Sequence, residues 1–559
     1  MKTRFMKKVL ALILGAAMLL SMAACDSNTN PAPSDDDATP TAGATESIGS
    51  VENPGVTFPL EEEMTFTIMY KNGDGSEIAE KLVKCAFWQD LYEATNVNVE
   101  FISLPADDTM NTLNAMFMSN QEGDAILSHF IKDADYAQMT ANGLLQPLNE
   151  YINNVDLMPN FNERVLGESA ATLGTITSPD GNIYSLPSYT PDLGGLLESP
   201  LYINKVWLDN LGLPVPTTME ELETVLIAFR DNDCNGNGVE DEIPLLLQQG
   251  NSYSHFEAFM GLYGIATKDG TNENYVYLED GTVVFAPTSQ AYKDCIIQLN
   301  DWYEKELIWQ EAFTSNTDTW VAKISSETPC IGVIPMQNMV GYSDEYVPLA
   351  PVAVEGYETS WYMHPGVAGV KTRFAVTRSC ENVDVLMAWI DLFYSYENSV
   401  RIKYGEESDG RYSIVDGAVV DNGLDSATLT ELKETAPRLL SDILSNLPIA
   451  LTASDYAEGR LVKSGSSLNT QAAYDVYEQY LNDEIWPRPY FSAEVSTRLG
   501  ELRTDIFSLV NQKKADWITG NGDIEAEWDA YCESLKKMGV DELVKLMQDA
   551  YDNYLAANN

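Results

Sequence analysis

Thr65-Phe66-Thr67-Ile68-Met69-Tyr70 alternates polar with apolar side chains, and Val97-Asn98-Val99-Glu100-Phe101 does so again downstream. Alternation with period two marks a strand that buries one face. Between the two strands, Ile78, Leu82, Cys85 and Leu91 fall on one stripe of a helix predicted over about 77–94. Strand, helix and strand at this spacing make a βαβ unit, which requires a parallel sheet with helices laid across it. A second helix near 108–119 and a short strand at 124–127 continue the pattern. The chain is therefore expected to be an α/β protein.

Farther on, Gly143-Leu144-Leu145-Gln146-Pro147-Leu148 precedes Ser178-Pro179-Asp180-Gly181-Asn182-Ile183-Tyr184-Ser185-Leu186-Pro187. In the second stretch Pro presets φ and Gly accepts a positive φ, so the flanking apolar segments should fold back as a hairpin. Leu201-Tyr202-Ile203-Asn204-Lys205-Val206-Trp207-Leu208-Asp209-Asn210-Leu211-Gly212-Leu213-Pro214 then leads into Pro216-Thr217-Thr218-Met219-Glu220-Glu221. Threonine to cap orphan amides and acidic residues in the first turn start a helix there. Asp301-Trp302-Tyr303-Glu304-Lys305-Glu306-Leu307-Ile308, Trp517-Ile518-Thr519-Gly520 and Trp528-Asp529-Ala530-Tyr531 complete the series. Most of these Trp and Leu residues read as helix core; their value lies in their order.

In that order and spacing the chain resembles the extracellular solute-binding proteins of sugar ABC importers, in particular the large Gram-positive lipoprotein branch of bacterial extracellular solute-binding protein family 1. The resemblance implies a two-lobed, periplasmic-binding-protein-like (Venus-flytrap) fold, type II-like, with an interlobe ligand cleft. On that reading 58–185 is mainly the first lobe, 186–360 mainly the second, 361–430 crosses back to the first, and 431–559 is a helical part packing on both.

Upstream, Lys2, Arg4, Lys7 and Lys8 precede an apolar run from Val9 to Leu20, too short to span a bilayer comfortably and built like an export signal. Ala23 and Ala24 before Cys25 resemble the bacterial lipobox, which implies a signal peptide at 1–24, cleavage before Cys25 and acylation of its thiol. Residues 25–57 then read as a disordered tether, rich in Ser, Thr, Pro, Ala and Asp with little to bury. The expected location is the extracellular face of the cell membrane, lipid-anchored.

At 559 residues and 45% hydrophobic, the remainder is long enough for more than one domain. The net charge is −52, and loss of the four basic leader residues takes it to −56. Such a field argues against nucleic acid and anionic headgroups and disfavours an anionic ligand. Cys85, Cys234, Cys295, Cys330, Cys380 and Cys532 show neither CxxC pairs nor the density of a disulfide scaffold.

The sharpest local chemistry is Asp231-Asn232-Asp233-Cys234-Asn235-Gly236-Asn237-Gly238-Val239-Glu240-Asp241-Glu242. Oxygen ligands at alternate positions, with glycine for the turn, suit calcium. One register starts at Asp231 and ends at Glu242 in an EF-hand-like frame. The other takes Asp233, Asn235, Asn237, the Val239 carbonyl, Asp241 and Glu242, and is favoured because it recruits the acidic pair and resembles the family. The family resemblance makes that ion structural, pinning a loop of the second lobe. An empty acidic turn is the plain alternative.

No phosphate loop, HExxH helix, GxSxG elbow or GxGxxG turn appears, and His129, His255 and His364 are the only histidines. With 85 acidic residues, proximity of two carboxylates carries no weight. A sugar offers hydroxyls to polar groups and C–H faces to rings. The family's cleft directs attention to Tyr189, to Tyr253 and His255, and to Trp361, Tyr362 and His364, the last cluster expected on a loop because it breaks periodicity before Pro365-Gly366. Trp88 and Trp320 are weaker candidates. The expected protein is a monomer and not an enzyme. It would capture an oligosaccharide by lobe closure and hand it to ABC-transporter permease subunits. Peptide or another polar solute, a surface-anchored glycoside hydrolase with two carboxylates, and an adhesive module are the competing readings.

Overall fold

The computed structural model describes residues 52–557 apart from 54, 73–84, 129, 170, 191–196, 268–274, 338, 340–343, 364–371, 423–427, 429–430, 433–446, 463–465, 483 and 488. The strand Met64–Asn72 sends Phe66, Ile68 and Tyr70 into one apolar cluster and Met69 into another, so both faces are covered. It pairs in parallel with Val97–Pro105 and Ala125–Leu127, as the βαβ spacing requires. Helix Ala86–Thr95 covers the first face through Phe87 and Leu91, and helix Thr109–Ser119 covers the second through Leu113 and Phe117. The first of these helices starts at Ala86, with Cys85 as its extended, buried N-cap residue; the earlier part of the stretch predicted as helix, 77–84, lies outside the described residues.

Ser185–Leu186 and Phe374–Val376 complete a five-stranded sheet, the latter antiparallel to both its neighbours. The turn before Ser185 closes as its sequence demands: Gly181 N donates to Ser178 O at 2.9 Å, and Ser178 N donates to Asn182 O at 2.8 Å.

A separate four-stranded sheet runs in the order Tyr346–Pro348, Leu201–Asn204, Ile331–Pro335, Ile243–Leu245. Ile331–Pro335 is parallel to Ile243–Leu245 and antiparallel to Leu201–Asn204. Helix Lys205–Leu211 is capped by the Asn204 side chain accepting from Trp207 N at 3.0 Å, and helix Met219–Asp231 by Thr218 accepting from Glu221 N at 3.2 Å. Trp207, Trp302 and Trp517 are buried in this core, as the helix-core reading of their motifs requires.

The C-terminal helices Ala493–Ile518, Ile524–Met538 and Val540–Ala557 pack on the second sheet's core. Ala493–Ile518 also touches helix Asp133–Ala141 beside the first sheet, and Tyr490 stacks on Tyr136 with centroids 5.1 Å apart. A small third sheet, Tyr412–Val415, Ala418–Asp421 and Leu461–Val462, carries its own apolar cluster around Tyr412, Val419 and Leu461. All of these elements belong to one compact unit, Ile48–Asn559.

Candidate functional site

Strand direction locates the site. Met64–Asn72, Val97–Pro105 and Ala125–Leu127 all end at one edge of the first sheet, where the chain also leaves after Leu186 and re-enters at Arg373. In the second sheet, Ile243–Leu245 and Ile331–Pro335 end at the edge where Leu201 enters and Pro348 leaves. Ligands of open α/β sheets bind outside the carboxyl ends of strands. The connecting segments meet in an antiparallel bridge, Leu197 to Met363, reinforced by Glu198 N donating to Tyr362 O at 3.1 Å. Each lobe thus turns its carboxyl edge toward the crossing.

At the first edge a cavity of about 270 Å³ is lined by Lys71, Asp107, Asp108, Thr109 and Phe130. At the second, Gln248 to Ser254 form a hydrogen-bonded turn. Asn251 Oδ1 accepts from Tyr253 N and Ser254 N at 2.8 and 3.1 Å, and Ser254 Oγ donates to Pro335 O at 2.9 Å. The turn displays Tyr253, 45% exposed, with its ring stacked 6.2 Å from that of buried Trp320.

The other aromatic and histidine candidates sit differently. Tyr189 is buried in the first core, its backbone bridging to Ala450. Trp361 and Tyr362 do lie outside helix and strand, but their rings turn inward. Trp361 Nε1 donates to Glu198 O at 2.7 Å, and its ring packs edge-on to Tyr477 and directly over Gly261, where a Cβ would come within 2.7 Å of it. Tyr362 is equally buried, with its hydroxyl 3.4 Å from Trp486 O. Trp88 packs against Phe101 and Trp389. His129 and His364 lie outside the described residues.

His255 is buried in an ion network. Its Nε2 lies 3.1 Å from Ser199 Oγ and 3.4 Å from Glu198 Oε1, and its Nδ1 lies 3.5 Å from Glu257 Oε2. Lys514 donates to Glu257 Oε1, and the Tyr275 hydroxyl lies 3.2 Å from that oxygen and donates to Asn511 at 2.8 Å. Burial by itself would lower the imidazole, but Glu198 and Glu257 raise it to about 9. Burial would raise Glu257; Lys514 and His255 more than offset this and hold the carboxyl well below its usual range. The network fastens the crossing segment and the long C-terminal helix to the second lobe.

Two polar groups that sequence reasoning missed lie at the first edge. Arg373 opens its strand beside Ser128, whose N–H donates to Arg373 O at 2.9 Å. Arg373 Nε and Ser128 Oγ are both buried with no hydrogen-bond partner, and no carboxylate pairs with Arg373 among the described residues. The one sequence signal for Arg373 is a charge set directly before the short apolar strand Phe374–Val376.

In the acidic loop, Asp233 accepts from Asn237 N at 3.1 Å and Gly238 N at 3.0 Å, while the Asp241 carboxylate meets the side-chain amides of Asn235 and Asn237 at 3.0 and 3.1 Å. Glu242 Oε1 closes the turn on Cys234 N at 2.8 Å. Gly236 and Gly238 take φ of +69° and +75°, a region costly for any side chain with a Cβ. Cys234 turns into the core against Phe229 O, and burial together with Glu242 and Asp233 pushes its thiol up to about 12. Among the described residues no three His, Cys, Asp or Glu side chains converge as a metal cage. A cation here would depend on the Asn235 and Asn237 amide oxygens and the Val239 carbonyl beside Asp233 and Asp241. Hard oxygen donors of this kind fit calcium.

Two α/β lobes, joined by paired crossing segments and turning carboxyl strand edges toward them, define a two-lobed solute-binding protein. The family model described as bacterial extracellular solute-binding protein matches residues 74–399, and the chain belongs to that family. It is a binding protein and not an enzyme. The fructooligosaccharide ABC transporter substrate-binding protein FusA of Streptococcus pneumoniae is 28% identical over 518 residues, 90% of this chain and 93% of that protein. An HMO-binding, ABC-transporter-associated solute-binding protein from Bifidobacterium longum infantis superposes with TM-score 0.75 at 25% identity, covering 88% of this chain and 99% of that one. FusA solved as an EF-hand mutant with fructo-nystose gives TM-score 0.70 at 24% identity, with 88% and 99% coverage. No helix of the described residues is long and apolar enough to cross a membrane.

Proposed function

We propose that the protein captures an extracellular oligosaccharide between its lobes and delivers it to the permease of an ABC importer, held at the membrane by a lipid on Cys25 after removal of residues 1–24. The observation that carries this reading is the similarity to a fructooligosaccharide-binding protein along nearly the full length of both chains. Closure needs no chemistry: solute contacts available only when both edges engage favour the closed state. Of the aromatic candidates, Tyr253 on its Trp320 support is the ring free to stack on a sugar face, while buried Tyr189, Trp361, Tyr362 and His255 hold the backbone around the crossing. His364 belongs to the same proposed ligand set.

Calcium is assigned to Asp233, Asn235, Asn237, the Val239 carbonyl, Asp241 and Glu242, where it would hold the second-lobe loop rather than touch solute. Calorimetric titration of the mature chain with neutral oligosaccharides, kestose among them, tests the reading. Saturable binding with the glycan recovered intact is expected; new reducing ends, or no binding to any glycan, would sink it.

A further inference from the structure

A buried polar atom without a partner is costly, and in a native chain it calls for a partner from outside the protein, whether ligand, ion or water. Arg373 and Ser128 are backbone neighbours at the first lobe's carboxyl edge, and both have an unpartnered buried side-chain atom. Ser128 is fully buried. The guanidinium lies near enough to the Tyr394 ring to influence its hydroxyl, which donates to Pro187 O at 2.5 Å where the chain departs for the second lobe. Burial lowers Arg373 to about 10, still leaving it charged at neutral pH.

We propose that Arg373, with Ser128, is the first-lobe anchor of the solute and donates to neighbouring oxygens of an uncharged sugar unit. This rests on the oligosaccharide reading and narrows it. A guanidinium presents parallel N–H donors that match a pair of adjacent oxygens. One cation could equally take a carboxylate, but Asp107 and Asp108 offset Lys71 and Arg373 at the same edge, so the chain's net charge of −52 decides and disfavours an anionic sugar relative to a neutral one. The anchor therefore selects against uronate glycans.

The test separates binding from folding. Wild type is titrated with a panel of neutral oligosaccharides and with oligogalacturonate, followed by Arg373→Met, Arg373→Lys and Ser128→Ala, with the melting temperature of each recorded without solute. Arg373→Met should bind the neutral glycan at least ~10-fold more weakly, the usual loss for a hydrogen bond to a charged group, while melting close to wild type because the half-buried guanidinium has no protein hydrogen bond or ion pair to lose. Arg373→Lys keeps the charge and loses the fork, so its affinity should fall between the two, and Ser128→Ala should lose about 2- to 10-fold. Unchanged affinity in Arg373→Met, a large drop in melting temperature there, or a wild-type preference for uronate would overturn the anchor and leave the oligosaccharide reading standing. Failure of folded wild type to bind any glycan would overturn both.

Discussion

In the second lobe, Lys514, Glu257, His255 and Glu198 close their charges on one another, with Tyr275 and Asn511 taking up further valences. At the first lobe's carboxyl edge, Arg373 has no such circle, although it lies only one backbone hydrogen bond from a buried, equally unpartnered serine. The first region buries its charges and neutralises them internally; the second leaves a half-buried guanidinium without an opposite charge. A network of opposed charges spends them on the fold, although His255 Nδ1 is itself left without a hydrogen bond. The unpaired guanidinium is the group the proposed anchor would use. Histidine, the more conspicuous sequence signal, leads to a structural lysine–glutamate–histidine cluster, while an arginine in an unremarked stretch is left without a charge partner among the described residues.

The contrast breaks most visibly at Lys514. Lys514→Met strands Glu257 and His255, and should cost about 3–5 kcal/mol in chemical denaturation, since removing one partner leaves a buried charge uncompensated. An effect under ~1 kcal/mol would mean the network is not the fastening described.

Titration probes the same cluster more gently. The folded imidazole is held at about 9 against an ordinary 6.5, so its stabilisation is complete below about 6.5 and is lost as pH rises through about 9. Melting curves should fall across that window, by up to ~1.4 kcal/mol per pH unit, and His255→Gln should flatten the slope. A wild-type curve already flat between those pH values contradicts the assignment.

The acidic loop treats charge in a third way: its carboxylates meet the loop's own amides, and the proposed calcium would join them. Calcium at about 100 times its Kd should add about 2.7 kcal/mol to wild type. Chelation should remove that gain, and Asp233→Ala with Asp241→Ala should abolish it while leaving glycan affinity in folded protein nearly unchanged. Equal melting temperatures with calcium and with chelator would eliminate the site.

The smallest expected effect is at Tyr253. Because the residue is 45% exposed, Tyr253→Ala should leave stability within ~0.5 kcal/mol. Loss of a stacking face should weaken glycan binding by roughly 3- to 10-fold. A stability loss with intact affinity would return Tyr253 to the packing role of the other rings.

Much of the frame was legible because its signals are local. The alternation of residues 65–70 and 97–101, the Pro-Asp-Gly-Asn turn and the Thr218 cap each depend on neighbours within a few residues, and each is found as its sequence implies. The display of Trp361 and Tyr362 was not legible in the same way. Broken periodicity correctly signals irregular backbone, but whether a ring on such backbone faces outward depends on Gly261, Glu198 and Tyr477, all remote in sequence. His255 carries the same lesson: its neighbours in space, Glu198 and Ser199, belong to the crossing segment.

The amino-acid sequence by itself determined the α/β alternation, the acidic loop, the export-like leader and the ordered motifs that resemble solute-binding proteins. Short-range pattern and composition suffice for these. Only the tertiary structure decided which polar groups are satisfied. Pairing of buried charge is a property of contacts between distant segments, and it is the register of Phe374–Val376 against Ala125–Leu127 that sets Arg373 beside Ser128 at the open edge.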